Sequence, residues 1–296
     1  MARPALAATR AIDILNFITN QPGHEFTLSE FVQRLEINIA SCHAILNTLT
    51  ENGYLVRHPT HKTYTLGPAL IATGQAAQER HPAIGIARTE AAKLSAETNL
   101  EVVVSARLGK DMVGLAHYGK LDFSAPIIQV GQHVPLIPPL GAVFMAWSNS
   151  DQVEAWLKKS PRTIAKSERD KYHELLATIK NRGYAVYLEN AVPIELGEAA
   201  REISFSNSSP RDRAMMTKLI GKLDIDAHYL IRPKSGKRYQ VRLLSAPIFN
   251  RHGVVAYAIY LSGFGEELST EEIQMYVKKL TACCRSVTVQ SNGKWS

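Results

Sequence analysis

Only three residues, Glu36-Ile37-Asn38, separate two short amphipathic helical patterns near the start of the chain, and that spacing constrains the fold more than any other feature. A break this short holds two helices against each other at a steep angle, as in a helix-turn-helix. The first pattern opens at Thr27-Leu28-Ser29-Glu30, a capping box in which the Thr27 hydroxyl and the Glu30 carboxylate each satisfy an orphan amide. Phe26 and Phe31 occupy the flanking staple positions, and Leu28, Phe31, Val32 and Leu35 supply the apolar face. Asn38 suits the N-cap of the second helix, which buries Cys42, Ile45, Leu46 and Leu49 and stops at Asn52-Gly53.

Upstream, Ala11, Ile14, Leu15 and Ile18 recur at the spacing of one buried helical face, predicting a helix over about 5–20 that Pro22-Gly23 ends. Downstream, 54–57 and 62–66 read as two strands around the polar turn His58-Pro59-Thr60-His61. Three helices and a two-stranded wing in this order are a winged helix-turn-helix, here over residues 1–67. Residues 68–81 are Ala- and Gln-rich and helix-prone with few apolar positions, as expected of a linker helix. From 82 to 296 helices and strands mix. Ile84, Ala87, Ala91 and Leu94 mark a helix, and strands are predicted over 101–107, 112–118, 184–189, 239–249 and 254–262. Further helices are predicted over 151–159 and 167–182, and a last one opens at the capping box Ser269-Thr270-Glu271-Glu272. The fold class is therefore α+β, an N-terminal winged helix-turn-helix followed by an antiparallel sheet flanked by helices.

The chain resembles the IclR-type bacterial transcriptional regulators in Ala8-Thr9-Arg10-Ala11-Ile12-Asp13-Ile14-Leu15, in 41–49 running into Gly53-Tyr54-Leu55, and in Tyr64-Thr65-Leu66-Gly67-Pro68. The likeness continues through 139–146, Arg182-Gly183-Tyr184-Ala185-Val186, Ala246-Pro247-Ile248-Phe249 and Ser262-Gly263. It implies a regulator, read as a repressor by default, that binds a double-stranded DNA operator. It also implies a linker helix that pairs with its copy in a homodimer or tetramer, and a GAF-like domain over 82–296 that takes a small effector. Many members carry Arg or Lys in the recognition helix where this chain has Ile39 and Ala44, so base readout falls to Asn38, Ser41, His43, Asn47 and Thr48.

The candidate DNA contacts are thus Thr27, Asn38, Ala40, Ser41, His43, Asn47 and Thr48, with Arg10 and Arg3 near the start and Arg57, His58 and Lys62 in the wing. His58-x-x-His61 lacks a third ligand and is not read as a metal site. The resemblance places effector-binding positions at Gly141, Ala142, Tyr260 and Ser262, where amides at a helix start and a hydroxyl suit a carboxylate. Lys237, Arg238 and Arg242 tilt the effector towards an anion, and the stretches around Pro126 and 135–139 read as loops able to close over it. Metabolite-binding enzyme and ligand-independent interaction module are the alternatives on this scaffold. No nucleophile elbow, dinucleotide fingerprint or P-loop favours catalysis or a cofactor.

No window approaches a membrane span, no leader pattern opens the chain, and Cys42, Cys283 and Cys284 are expected as buried, reduced thiols, so the chain is expected to be cytoplasmic. The formal charge of +7 does not come from the DNA-binding unit: residues 1–85 hold six basic and six acidic side chains, whereas 201–251 hold eleven and four. Operator binding should accordingly depend only modestly on salt.

Overall fold

The structure, a computed structural model, describes residues 5–21, 23–119, 128, 130–189 and 210–295. Arg3, Pro22 and Pro126 lie outside them. The chain divides into two compact units, one of residues up to His81 together with Arg201–Met215, the other of Pro82–Ala200 together with Met216–Ser296.

In the first unit, α1 (Leu6–Thr19), α2 (Leu28–Leu35) and α3 (Ile39–Glu51) surround a core of Ile14, Phe17, Phe31, Cys42, Leu46 and Tyr64. Both sides of the predicted capping box form: the Glu30 amide donates to Thr27 Oγ1, and the Thr27 amide donates to Glu30 Oε2 at 2.7 Å. Burial alone would raise the Glu30 pKa, but these Thr27 bonds outweigh it and hold the carboxyl below its ordinary value. Glu36, in the left-handed region at φ 53°, reverses the chain between α2 and α3, and Asn38 Oδ1 then accepts from the Ser41 amide at 2.8 Å. The wing strands β1 (Leu55–Arg57) and β2 (Tyr64–Leu66) pair antiparallel. A bridge between Phe26 and Tyr64 locks the wing to the entrance of α2. Gly67 closes this hairpin because any side chain there would strike the Gly53 carbonyl oxygen, 2.2 Å from an added Cβ. The unit ends in α4 (Ala69–Arg80), in which no residue is buried.

In the second unit, β3 (Glu101–Leu108), β4 (Asp111–Tyr118), β5 (His133–Pro135), β6 (Ala185–Leu188), β8 (Val241–Phe249) and β9 (Val255–Ser262) form an antiparallel sheet. Its order is β5-β4-β3-β9-β8-β6. Alternation along the strands sends Val102, Val104, Leu244, Ala246, Ile259 and Leu261 to one face, against α5 (Pro82–Thr98) and α11 (Thr270–Gln290). Cys283 and Cys284 lie in that layer, where burial pushes the Cys283 thiol up to about 12 and the Cys284 thiol well above its ordinary value. The opposite face, with Val103, Ala185, Tyr187, Ala258 and Tyr260, is covered by α6 (Ala142–Met145), α7 (Ser150–Leu157) and α8 (Lys166–Arg182). Among the described residues, no helix is long and apolar enough to cross a membrane.

Two expectations change. Leu136 and Ile137 are core residues, 1% and 7% exposed, and Pro138 and Pro139 are buried with them, so 136–139 is no cover over a pocket. The prolines exclude regular structure there, yet the apolar side chains between β5 and α6 still need burial. The predicted strand 239–249 is two strands: β7 (Arg238–Tyr239) pairs with β10 (Leu268–Ser269) away from the main sheet, and β8 starts after Gln240. Sequence reading also missed β5, α9 (Pro210–Ile220) and α10 (Ile225–His228). The last two lie in the span that joins β6 to β8.

Candidate functional site

The free face of α3 is what the first unit presents. Once Cys42, Ile45 and Leu46 turn inward, helical spacing leaves Ala40, His43, Ala44 and Thr48 exposed, with Ser41 and Asn47 half-buried beside them. Ile39, 63% exposed, stands at the amino end. Asn47 Nδ2 lies 3.4 Å from His43 Nδ1, so the two polar side chains form one surface. Arg10 Nη1 donates to Ser41 Oγ at 2.9 Å, which ties α1 to α3 and places a cation at the edge of this face.

Other predicted contacts are engaged internally. The Thr27 hydroxyl is committed to its cap, donating to Glu30 Oε2 at 2.8 Å. His58 Nδ1 accepts from the amides of Thr60 and His61 at 3.2 and 3.1 Å, so the ring shapes the wing turn. Lys62, at φ 57°, donates from Nζ to the Pro59 carbonyl at 2.5 Å. Arg57 is exposed, its guanidinium 5.7 Å from the Tyr64 ring centroid. The wing therefore brings one extended cation, Arg57, beside the uncharged face of α3. Among the described residues, no cluster of three His, Cys, Asp or Glu side chains is placed to hold a metal.

In the second unit the six predicted effector positions do not converge. Gly141 caps α6 at φ 78°, and a Cβ added there would lie 2.1 Å from Leu136 Cδ1. Ala142 and Ser262 are 0% exposed and Tyr260 5%. Ser262 donates to Glu101 Oε2 at 3.2 Å, the two facing each other across the β3–β9 register, while Tyr260 Oη stands 4.0 Å from Met112 Sδ. Gly141, Ala142, Tyr260 and Ser262 thus belong to a packed wall. Arg238 is elsewhere: on β7, it pairs with Glu272 Oε2 at 3.0 Å. Arg242 is half-buried on β8, where loss of hydration holds its pKa down.

Tyrosines fill this face of the sheet. Tyr229, just after α10, packs at 4.6 Å between ring centroids on Tyr187 and donates to the Pro139 carbonyl at 2.7 Å. His228 lies against both rings, 5.4 Å from Tyr187 and 4.9 Å from Tyr229, and neither ring nitrogen has a hydrogen-bond partner among the described residues. Burial, and then the charge of Arg242, push its pKa down to about 3. The folded state therefore keeps this imidazole neutral while the unfolded chain binds a proton near pH 6.5. Stability is full above pH 6.5 and falls towards pH 3, by about 1.4 kcal/mol per unit. His228→Phe is expected to remove that dependence, so that between pH 7 and 5 wild type loses about 2 kcal/mol more than the variant. Urea unfolding of both proteins at the two pH values measures it.

One open feature of the second unit is a cleft of about 540 Å³ lined by Lys171, Leu188, Tyr229, Lys234, Lys237, Arg238 and Tyr239 among others; it takes in Lys237 and Arg238, two of the three basic residues singled out in the sequence, but not Arg242. The concentration of basic residues after 201 was its only visible signal.

Comparison with known proteins sets these features in context. Residues 7–59 match the model of the IclR helix-turn-helix domain. The DNA-binding transcriptional repressor YiaJ of Escherichia coli (strain K12) is 26% identical over 188 residues, 60% of this chain and 65% of the repressor's length, just under two thirds. An IclR transcriptional regulator from Alicyclobacillus acidocaldarius shares the fold with TM-score 0.68 at 19% identity, over 98% of this chain and 100% of that one. An IclR homolog from Microbacterium hydrocarbonoxydans, solved in complex with 4-hydroxybenzoate, aligns with TM-score 0.64 at 13% identity, over 96% and 98% of the two chains.

Proposed function

We propose that this chain is a transcriptional regulator of the IclR type that binds duplex operator DNA through α3 and the wing, with a small anionic or aromatic effector altering that affinity. The observation that carries the DNA reading is the face of α3 from Ala40 to Thr48: capped at Asn38, without Lys, Arg, Asp or Glu until Glu51 at the far end of the helix, and flanked by Arg10 and Arg57. Uncharged side chains of this size read base edges, and the flanking cations hold phosphates. Asn38, Ala40, Ser41, His43, Asn47 and Thr48 are assigned to the base-facing surface. Thr27, His58 and Lys62 support it by shaping the α2 entrance and the wing turn, their backbones approaching the phosphates.

A single such face reads too few base pairs for an operator, so a second copy is needed. Helix α4 supports that pairing, since it buries nothing within its own unit and leaves Ile71 77% exposed. The effector acts by favouring one arrangement of paired α4 helices, and hence one spacing of the two α3 helices, by no more than its difference in affinity for the two states. The reading takes the chain as a cytoplasmic repressor by default, and no catalytic role is assigned to either unit.

Enrichment of bound sequences from a random duplex pool tests it. The expected product is a pseudo-palindrome whose half-sites lie about one helical turn apart. A pool that stays random after repeated rounds removes the operator-binding reading.

A further inference from the structure

The face of α3 runs in two neighbouring rows, each stepping by about one turn: Ile39, His43 and Asn47 in one, Ala40, Ala44 and Thr48 in the other. Most polar atoms along it are already engaged. Asn38 Oδ1 accepts from the Ser41 amide, Ser41 Oγ accepts from Arg10, and Thr48 Oγ1 donates to the Ala44 carbonyl at 3.0 Å. With its hydroxyl turned back on the helix, Thr48 has a methyl left to present, one turn from the methyl of Ala44, and both residues are exposed. Asn47 differs. Its amide nitrogen lies 3.4 Å from His43 Nδ1, so one N–H is directed at the ring while the second N–H and the carbonyl oxygen remain for a ligand.

Those remaining groups select among base pairs. An acceptor beside a donor matches adenine, whose N6 amino group donates and whose N7 accepts. Guanine offers two acceptors and is taken bidentately by Arg or Lys, and residues 39–48 hold neither. Methyl groups match thymine, which alone carries a methyl in the major groove. Between Ala40 and Thr48 the helix rises about 12 Å, the length of about three base pairs, so one helix face can meet consecutive pairs.

We propose that α3 reads consecutive A·T pairs in each half-site: the Asn47 carboxamide takes an adenine edge, and Ala44 and Thr48 meet thymine methyl groups. His43 is a positioning residue that fixes the orientation of the Asn47 carboxamide. The proposal rests on the reading that α3 enters the major groove of an operator, and it names the bases read there.

The test starts from the enriched operator and replaces bases by analogues that keep the pairing, with the affinity of the full chain measured by fluorescence anisotropy. Deoxyuridine in place of thymidine removes only the methyl, and 7-deazaadenine in place of adenine removes only the N7 acceptor. The enriched half-sites are expected to carry consecutive A·T pairs. Deoxyuridine there, in both half-sites, is expected to weaken binding about tenfold, and 7-deazaadenine about tenfold. Thr48→Ser, which keeps the hydroxyl and loses the methyl, is expected to reduce the deoxyuridine effect, and Asn47→Ala to abolish the 7-deazaadenine effect. His43→Ala is expected to reduce the 7-deazaadenine effect and leave the deoxyuridine effect intact, a split that a general loosening of α3 would not produce. The proposal is overturned by half-sites whose selected pairs are G·C, by undiminished affinity for the operator carrying either analogue, or by analogue effects that persist unchanged in the variants. A pool that stays random removes the operator reading and this one with it, whereas an enriched operator indifferent to the analogues removes this one alone. The analogue effects are read on the wild-type protein and so do not depend on how the variants fold.

Discussion

Ser41→Glu is expected to abolish specific DNA binding, lowering affinity for the enriched operator by more than about 100-fold while leaving the unfolding temperature of the protein unchanged. Ser41 is half-buried at the edge of the α3 face and accepts a hydrogen bond from Arg10. A carboxylate there does two things. It neutralises the Arg10 cation locally, and it sets a negative charge against the DNA, where juxtaposed like charges cost several kcal/mol. In a dimer both copies carry the change. Ser41→Ala is the control: it removes one hydroxyl and frees Arg10, and its expected loss is tenfold or less. Fluorescence anisotropy on a labelled operator measures both. Wild-type affinity in Ser41→Glu would mean that α3 does not face the DNA.

Tyr229→Ala is expected to destabilise the second unit by about 4 kcal/mol, through the lost burial of the ring and the cavity left against Tyr187 and His228. Tyr229→Phe keeps the ring and loses the bond to the Pro139 carbonyl, so its expected loss is about 1–2 kcal/mol. Urea unfolding followed by tryptophan fluorescence reads the second unit alone, because Trp147, Trp156 and Trp295 all lie in it. Equal effects of the two substitutions would show that the hydroxyl, not the ring, holds the span between β6 and β8 against the sheet.

What the sequence disclosed was local, and what it concealed was pairing. The caps at Thr27, Asn38 and Ser269 each need only three or four consecutive residues, and each forms where the motif places it. The buried faces of the first three helices were legible in part, since one helical period fixes which side chains share a face, but Phe17, 1% exposed, was left out of the first, where Ala11 and Leu15 are only half-buried. Strand partners were not. Arg238 and Arg242 stand four residues apart and were grouped as one basic site, but Gln240 separates β7 from β8 and their side chains fall in different places. Likewise, no local pattern reveals that 189–240 connects two adjacent strands, and without that fact the basic segment has no location. In the first unit, residue type picked out the α3 face around Ser41, His43 and Asn47, which the structure leaves open or half-open to solvent. It could not show that Thr27, His58 and Lys62 spend their polar atoms on the cap and the wing turn, because those bonds depend on backbone geometry.

The central claim is that α3 reads base sequence, and the most direct measurement is the ratio of affinities for the enriched operator and a scrambled duplex of equal length at physiological salt. The account predicts a ratio of about 1,000 or more, with a shallow salt dependence, since the first 85 residues hold six basic and six acidic side chains and few cations flank the helix. Equal affinity for the two duplexes would contradict it.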